Sequence, residues 1–227
     1  MITAKQLLTN PHFCPTPWTG LMYNFDGMVK NCIRSDKVVG QLGNIQDNTI
    51  EEILLGPINV TKQKNIVTKQ SALGCHTCYD IERGKQGFDI ISDRIFYLKE
   101  LRNSDMTLYD SPGTFGLRKI DVRWTNLCNF ACVYCSPEFS SKWASELNTH
   151  LETPSDQKFN QFKEYIFKHA GQLKHVYLAG GEPLLMKENL ELLELLKKDN
   201  PNVHIRVNTN LSKVDTKVFE RICEFKN

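Results

Sequence analysis

Residues 128–135 read CNFACVYC, three cysteines separated by three and then two residues. Thiolates this close together suit a metal site. A structural metal site is normally closed by four protein ligands and leaves no exchangeable position, so three thiolates describe a site with one position open. The other five of the eight cysteines divide differently: Cys14, Cys32, Cys75 and Cys78 fall in the first third, and Cys223 stands alone. Four thiolates can close one site. Cys223 lies in KVFERICEFK, where Val218, Ile222 and Phe225 recur at helical spacing, which predicts a buried, inert thiol.

Composition narrows the classes of function. The chain has 227 residues, 41% of them apolar, with no low-complexity run, enough for a packed core in one or two domains. Its 28 basic and 26 acidic residues leave a net charge of +2, without the basic stripe that nucleic acid demands. MITAKQLLTN lacks the apolar centre of a signal peptide, and no run approaches the roughly 20 apolar residues of a membrane span. The expectation is a cytoplasmic protein with no nucleic-acid or membrane partner. In that reducing compartment eight cysteines point to metal or redox chemistry rather than disulfides.

The elements that must position the three-cysteine loop alternate between strand and helix. KIDVRWTN (119–126) alternates Ile120, Val122 and Trp124 with polar residues and runs straight into the loop. TPSDQKFNQFKEYIFKHAG predicts a helix with Thr153 as cap, Pro154 in the first turn, an apolar face of Phe159, Phe162 and Ile166, and Gly171 as stop. HVYLA (175–179) is a second strand, followed by GGEP (180–183) and a helix in ENLELLELLKKDNP with Leu190, Leu193 and Leu196 inward. VHIRVNTN (203–210) is a third strand, before a short helix. Three such units imply a parallel α/β sheet with right-handed crossovers. Parallel strands covered on both faces read as continuous apolar runs, yet Arg123, Tyr177, His204, Arg206 and Asn208 make one face polar. That face meets solvent or lines a barrel holding a polar ligand. The second is favoured because the cysteine loop and GGEP both follow strand ends, where α/β barrels build their sites.

LCNFACVYC after a first strand, with GGEP after the second, resembles the radical S-adenosylmethionine (SAM) enzymes from about residue 117 onward. The resemblance implies that Cys128, Cys132 and Cys135 hold three irons of a [4Fe-4S] cluster, with SAM chelating the fourth. It implies reductive cleavage of SAM to methionine and a 5′-deoxyadenosyl radical that abstracts hydrogen from substrate, on an electron from a flavodoxin- or ferredoxin-type donor. Tyr134 would pack near the adenine, and Gly180, Gly181 and Glu182, with Pro183 closing the turn, would receive the methionine amino group. Asn208 is a candidate for the ribose or carboxylate.

The first third carries a different pattern. Cys14-x12-Gly27-x4-Cys32 places Asp26-Gly27 between LMYNF and MVKNC, a hairpin signal that brings two cysteines together, and GCHTC supplies Cys75 and Cys78. TIEEILLG reads as a helix between the pairs. Residues 12–82 resemble the SPASM and twitch auxiliary-cluster modules that accompany radical SAM barrels, here preceding the barrel rather than following it. This resemblance implies a second [4Fe-4S] cluster. Zinc fits the same four ligands, and the cluster is favoured because the neighbouring domain already requires iron-sulfur assembly.

ISDRIFYLKELRNS predicts an amphipathic helix with Ile91, Ile95, Leu98 and Leu101 on one stripe, and SPGTFG (111–116) predicts a hinge. The domains expected are a cysteine-rich α+β module over 1–90, a linker over 91–116, and the N-terminal half of a radical SAM barrel over 117–227. A complete core of this kind has six strand-helix units and these residues supply three. The expectation is therefore a fragment, or a barrel completed by a partner chain or a second copy. The substrate that the resemblance to the auxiliary modules implies is a peptide undergoing modification, with a small sugar-like or nucleotide-like molecule as the alternative. The alternative function is a non-catalytic iron-sulfur or zinc protein, an electron carrier or inert barrel fragment.

Overall fold

A computed structural model of the chain describes residues 9–84, 91–101, 106–109 and 111–226. These fall into two compact units, one of residues up to 21 together with 29–117, the other of 22–28 together with 118 onward.

In the first unit a short helix α1 (Thr16–Thr19) leads into β1 (Gly20–Tyr23), which β2 (Met28–Lys30) and β3 (Gly43–Asn44) follow in the order β3-β2-β1. The predicted Asp26-Gly27 turn, in the 22–28 stretch of the second unit, forms. Gly27 takes φ +86°, a left-handed conformation natural to glycine, and Asp26 Oδ1 accepts the Met28 N–H at 3.0 Å. Helix α2 (Ile50–Leu54) is the one read in TIEEILLG. Its capping box is complete: Thr49 Oγ1 accepts the Glu52 N–H and Glu52 accepts the Thr49 N–H at 2.8 Å.

Helix α3 (Pro57–Val67) was not legible in the sequence, because the face it buries is polar. Asn59, Lys62 and Gln63 are buried beside Ile66. The Asn59 amide donates to the carbonyls of Pro17 at 2.9 Å and Leu54 at 2.7 Å, and the Gln63 amide to those of Pro17 and Thr114, both at 2.9 Å. Buried side chains thus satisfy loop carbonyls that would otherwise lose water without replacement. Helices α4 (His76–Arg83) and α5 (Asp93–Glu100) complete the unit. Ser92 caps α5, leaving Ile91 outside it and 52% exposed, so the expected stripe begins after Ile91. Arg94 is buried instead, donating to the Phe13 carbonyl at 3.0 Å and paired with Glu82. Residues 91–117 cluster with this unit: Leu101 and Tyr109 join Phe13, Trp18, Ile66 and Ala72 in its core.

In the second unit β4 (Lys119–Val122), β5 (His175–Leu178) and β6 (His204–Val207) form the parallel sheet, with Ile120 opposite Val176 and Val176 opposite Ile205. Ile120, Val122, Val176 and Leu178 are fully buried. Of the expected polar face, Arg206 and Asn208 are exposed and Tyr177 and His204 half-buried, whereas Arg123 is buried and paired with Asp121 at 2.7 Å. A short helix α6 (Ser141–Glu146) follows the cysteine loop. Helix α7 (Asp156–Lys168) starts later than expected, on Ser155 rather than Thr153. Its Phe162 stacks on Tyr23, 4.2 Å between ring centroids. Helix α8 (Lys187–Asp199) buries Leu192, Leu193 and Leu196, with Leu190 half-buried at the margin.

Helix α9 (Lys217–Cys223) corrects the expectation for Cys223, which is exposed. The buried residue is Val218, and five residues at 3.6 per turn place Cys223 on the far side of the helix. Among the described residues no helix is long and apolar enough to cross a membrane.

Candidate functional site

Three loops leave the C-terminal ends of β4, β5 and β6, and hydrogen bonds join them. The first carries Cys128, Cys132 and Cys135, all partly buried. A turn closes its end, with the Cys135 N–H on the Cys132 carbonyl at 2.9 Å. Burial raises the Cys135 thiol above its usual range, and the charges of Cys128 and Cys132 add to this. The chain between the last two cysteines points outward, Val133 being 94% and Tyr134 90% exposed.

The start of α6 holds this loop in shape. Ser140 donates to the Phe130 carbonyl at 2.6 Å, and Ser141 Oγ accepts the Cys128 N–H at 3.0 Å. The Trp143 indole N–H donates to the Cys132 carbonyl at 2.8 Å, and Asn126 donates to the Pro137 carbonyl at 3.1 Å. Sequence reasoning missed all four. The available signal for the first three was SSKW at 140–143, shortly after the cysteines, a serine cap with an aromatic three residues on.

The GGEP turn after β5 packs on the entry to the cysteine loop. The N–H of Gly181 donates to the Thr125 carbonyl at 3.3 Å and that of Glu182 to the Leu127 carbonyl at 2.7 Å. Gly180 takes φ +111°, and a Cβ added to Gly181 would lie 2.1 Å from the Leu127 carbonyl oxygen. The close approach that requires glycine here is therefore to the chain's own backbone. Gly181→Ala would therefore push the cysteine loop off the turn.

Glu182 lies at the centre of these contacts and is 1% exposed. Its carboxylate accepts the Leu184 N–H at 3.0 Å, the Thr209 hydroxyl at 2.6 Å and the Asn210 N–H at 2.7 Å. The side chain expected to meet a ligand amine thus joins the β5 loop to the β6 loop, and Pro183 behind it is buried. A second link runs from Asn129 to Ser212 at 2.8 Å and to Asn210 at 3.2 Å. Asn208 is held at the end of β6 by its N–H on the Leu178 carbonyl at 3.0 Å, with its side chain exposed.

In the first unit Cys14, Cys32, Cys75 and Cys78 line one cavity of about 20 Å³, with Arg34 and Arg94 also at its wall. Cys75 precedes α4 and Cys78 lies in its first turn, where exposed N–H groups favour negative charge. Burial pushes the thiols of Cys14 and Cys75 up to about 12, each raised further by Cys32, and lifts Cys78 as well. Buried thiols of this kind carry charge only when a metal takes the place of the proton. Among the described residues no three such side chains converge on a single ion position. Both donor sets are all-thiolate, the chemistry that iron-sulfur clusters take.

Residues 122–227 match the model of the radical SAM superfamily, and residues 14–79 that of SPASM, an iron-sulfur cluster-binding domain. The chain is 36% identical over 101 residues to a 7-carboxy-7-deazaguanine synthase of Clostridium acetobutylicum, covering 44% of this chain and 39% of that one. It is 29% identical over 97 residues to a GTP 3′,8-cyclase of Nautilia profundicola, covering 41% and 28%, and 27% identical over 108 residues to a GTP 3′,8-cyclase of Campylobacter lari, covering 46% and 30%. The matches thus span well under half the length of these curated relatives. No solved structure matches. Both matched stretches contain the cysteine groups described above: the chain joins an N-terminal SPASM iron-sulfur cluster-binding domain to a domain of the radical SAM superfamily, and its cofactors are SAM and [4Fe-4S] clusters.

Proposed function

We propose that Cys128, Cys132 and Cys135 hold three irons of a [4Fe-4S] cluster at which SAM is bound and reductively cleaved. The observation that supports this most is the linkage of the three strand-end loops: Leu127 to Glu182, Glu182 to Thr209 and Asn210, and Asn210 to Asn129. The cluster, when bound, supplies one electron to the sulfonium of SAM, giving methionine and a 5′-deoxyadenosyl radical that takes hydrogen from substrate. The chain's own residues prepare the place. The Gly180-Gly181 backbone offers polar groups to the methionine end, and Glu182, with Pro183 behind it, positions that turn. Tyr134, exposed at the loop tip, closes over the adenine, and Asn208 contacts the ribose or carboxylate.

Cys14, Cys32, Cys75 and Cys78 hold the auxiliary cluster with no position left for SAM. A small flavodoxin- or ferredoxin-type protein delivers the electron. Adding SAM to the reduced protein is therefore expected to change the electron paramagnetic resonance signal of the three-cysteine cluster alone. A SAM-dependent change that survives loss of Cys128 would contradict the assignment.

A peptide is the proposed substrate class, on the strength of the SPASM domain. A purine nucleotide is the second reading, favoured by the GTP and deazaguanine in the names of the similar enzymes. Dithionite-reduced protein with SAM should form 5′-deoxyadenosine slowly by itself and faster with the cognate class. Stimulation by GTP and not by peptides would exchange the two readings, and failure to form any would reject catalysis by this chain.

A further inference from the structure

Lys62 lies in the middle of α3 with 1% of its surface exposed. Its ammonium donates to the Gly40 carbonyl at 2.8 Å and reaches Ser35 Oγ at 3.5 Å, and Ser35 Oγ donates to the same carbonyl at 3.1 Å. Both acceptors are neutral. Among the described residues the ion pairs of this unit are Arg34–Asp93, Arg83–Asp80 and Arg94–Glu82, and Lys62 is in none of them. Lys30, 5% exposed, donates to the Ser35 carbonyl at 3.3 Å and places a second ammonium close by.

A buried cation facing neutral acceptors is expensive, and proteins keep one where an opposite charge offsets it. A source of that charge is on the other side of Ser35, which lines the four-cysteine cavity together with Cys32 and Cys75. Burial lowers the pKa of Lys62, the charges of Cys75 and Cys32 act in the opposite sense, and Lys30 lowers it again. With the four cysteines ligated as thiolates, the site is net negative and becomes more so on reduction. A fixed cation behind its wall stabilises the reduced form more than the oxidised one.

We propose that Lys62 is the built-in counter-cation of the four-cysteine site, holding its buried thiolates and raising the reduction potential of the auxiliary cluster. This rests on Cys14, Cys32, Cys75 and Cys78 being that cluster's ligands. The test uses the full chain with Cys128, Cys132 and Cys135 replaced by alanine, so that only the auxiliary cluster contributes. Dithionite titration followed by electron paramagnetic resonance gives the potential of this parent and of Lys62→Gln and Lys62→Arg in it.

Lys62→Gln keeps a donor toward Gly40 without the charge. It should shift the one-electron equilibrium toward the oxidised form by about tenfold, which is 59 mV. Lys62→Arg keeps the charge and should stay near the parent. Loss of iron from the Gln variant with retention in the Arg variant also supports the assignment. Equal potentials in parent and Gln variant overturn it, as does loss of iron from both variants, which would make the side chain's shape the cause. A parent that holds no iron at all removes the ligand set and the counter-cation with it.

Discussion

Cys132→Ala is expected to abolish formation of 5′-deoxyadenosine and methionine from SAM in dithionite-reduced protein. Replacing all three loop cysteines should lower iron from about eight to about four per chain. The thiolate of Cys132 is one of three, and with two remaining the cluster has no reason to keep a single open iron. The backbone contact that shapes the loop uses the Cys132 carbonyl, bound by the Trp143 indole, and alanine keeps that carbonyl. The loss should therefore be chemical, with the unfolding midpoint little changed. Chromatography of the reaction and iron analysis of the same sample check both halves. One equivalent of zinc and no iron in the triple variant would reject the auxiliary-cluster reading and leave the SAM site untouched.

Glu182→Ala should strongly destabilise the second unit. It leaves the Leu184 and Asn210 N–H groups and the Thr209 hydroxyl without their acceptor. At the low end of about 1–3 kcal/mol for each group left unpaired, since Thr209 and Asn210 are only half-buried, the three sum to about 3 kcal/mol, large against a typical total of about 5–15 kcal/mol. Glu182→Gln keeps one carbonyl oxygen and should cost about 1 kcal/mol. Urea unfolding of the two variants measures this. If Glu182→Ala unfolds like the parent and only SAM affinity falls, the carboxylate is a direct ligand contact and its positioning role is wrong.

How much was legible follows from what kind of signal each element sends. The three strands, the faces of α7 and α8 and the Asp26-Gly27 turn rest on apolar periodicity or backbone demands, which local sequence carries. The α3 helix was hidden because Asn59, Lys62 and Gln63 are buried to satisfy carbonyls distant in sequence, a requirement visible only once the chain is folded. Cys223 was misread for the opposite reason: its apolar neighbours suggested burial, but the helix faces inward at Val218 alone among its fully buried residues. At the site, the cysteine spacing and the two glycines were plain. The work of Ser140, Ser141 and Trp143 was not, because hydrogen bonds to main-chain carbonyls leave no spacing rule. The glycines were expected to receive the methionine amino group, and what lies closest beside Gly181 is the Leu127 carbonyl.

The bonds among the three strand-end loops run between the chain's own atoms, so they fix the loops' mutual arrangement independently of anything bound. Conformational freedom has already been surrendered there during folding. A ligand settling on that surface loses affinity only for what it must still immobilise. Val133 and Tyr134 form the exposed tip of the otherwise tethered cysteine loop. Selectivity for SAM over smaller sulfonium compounds should then reside in the tethered loops rather than in this tip.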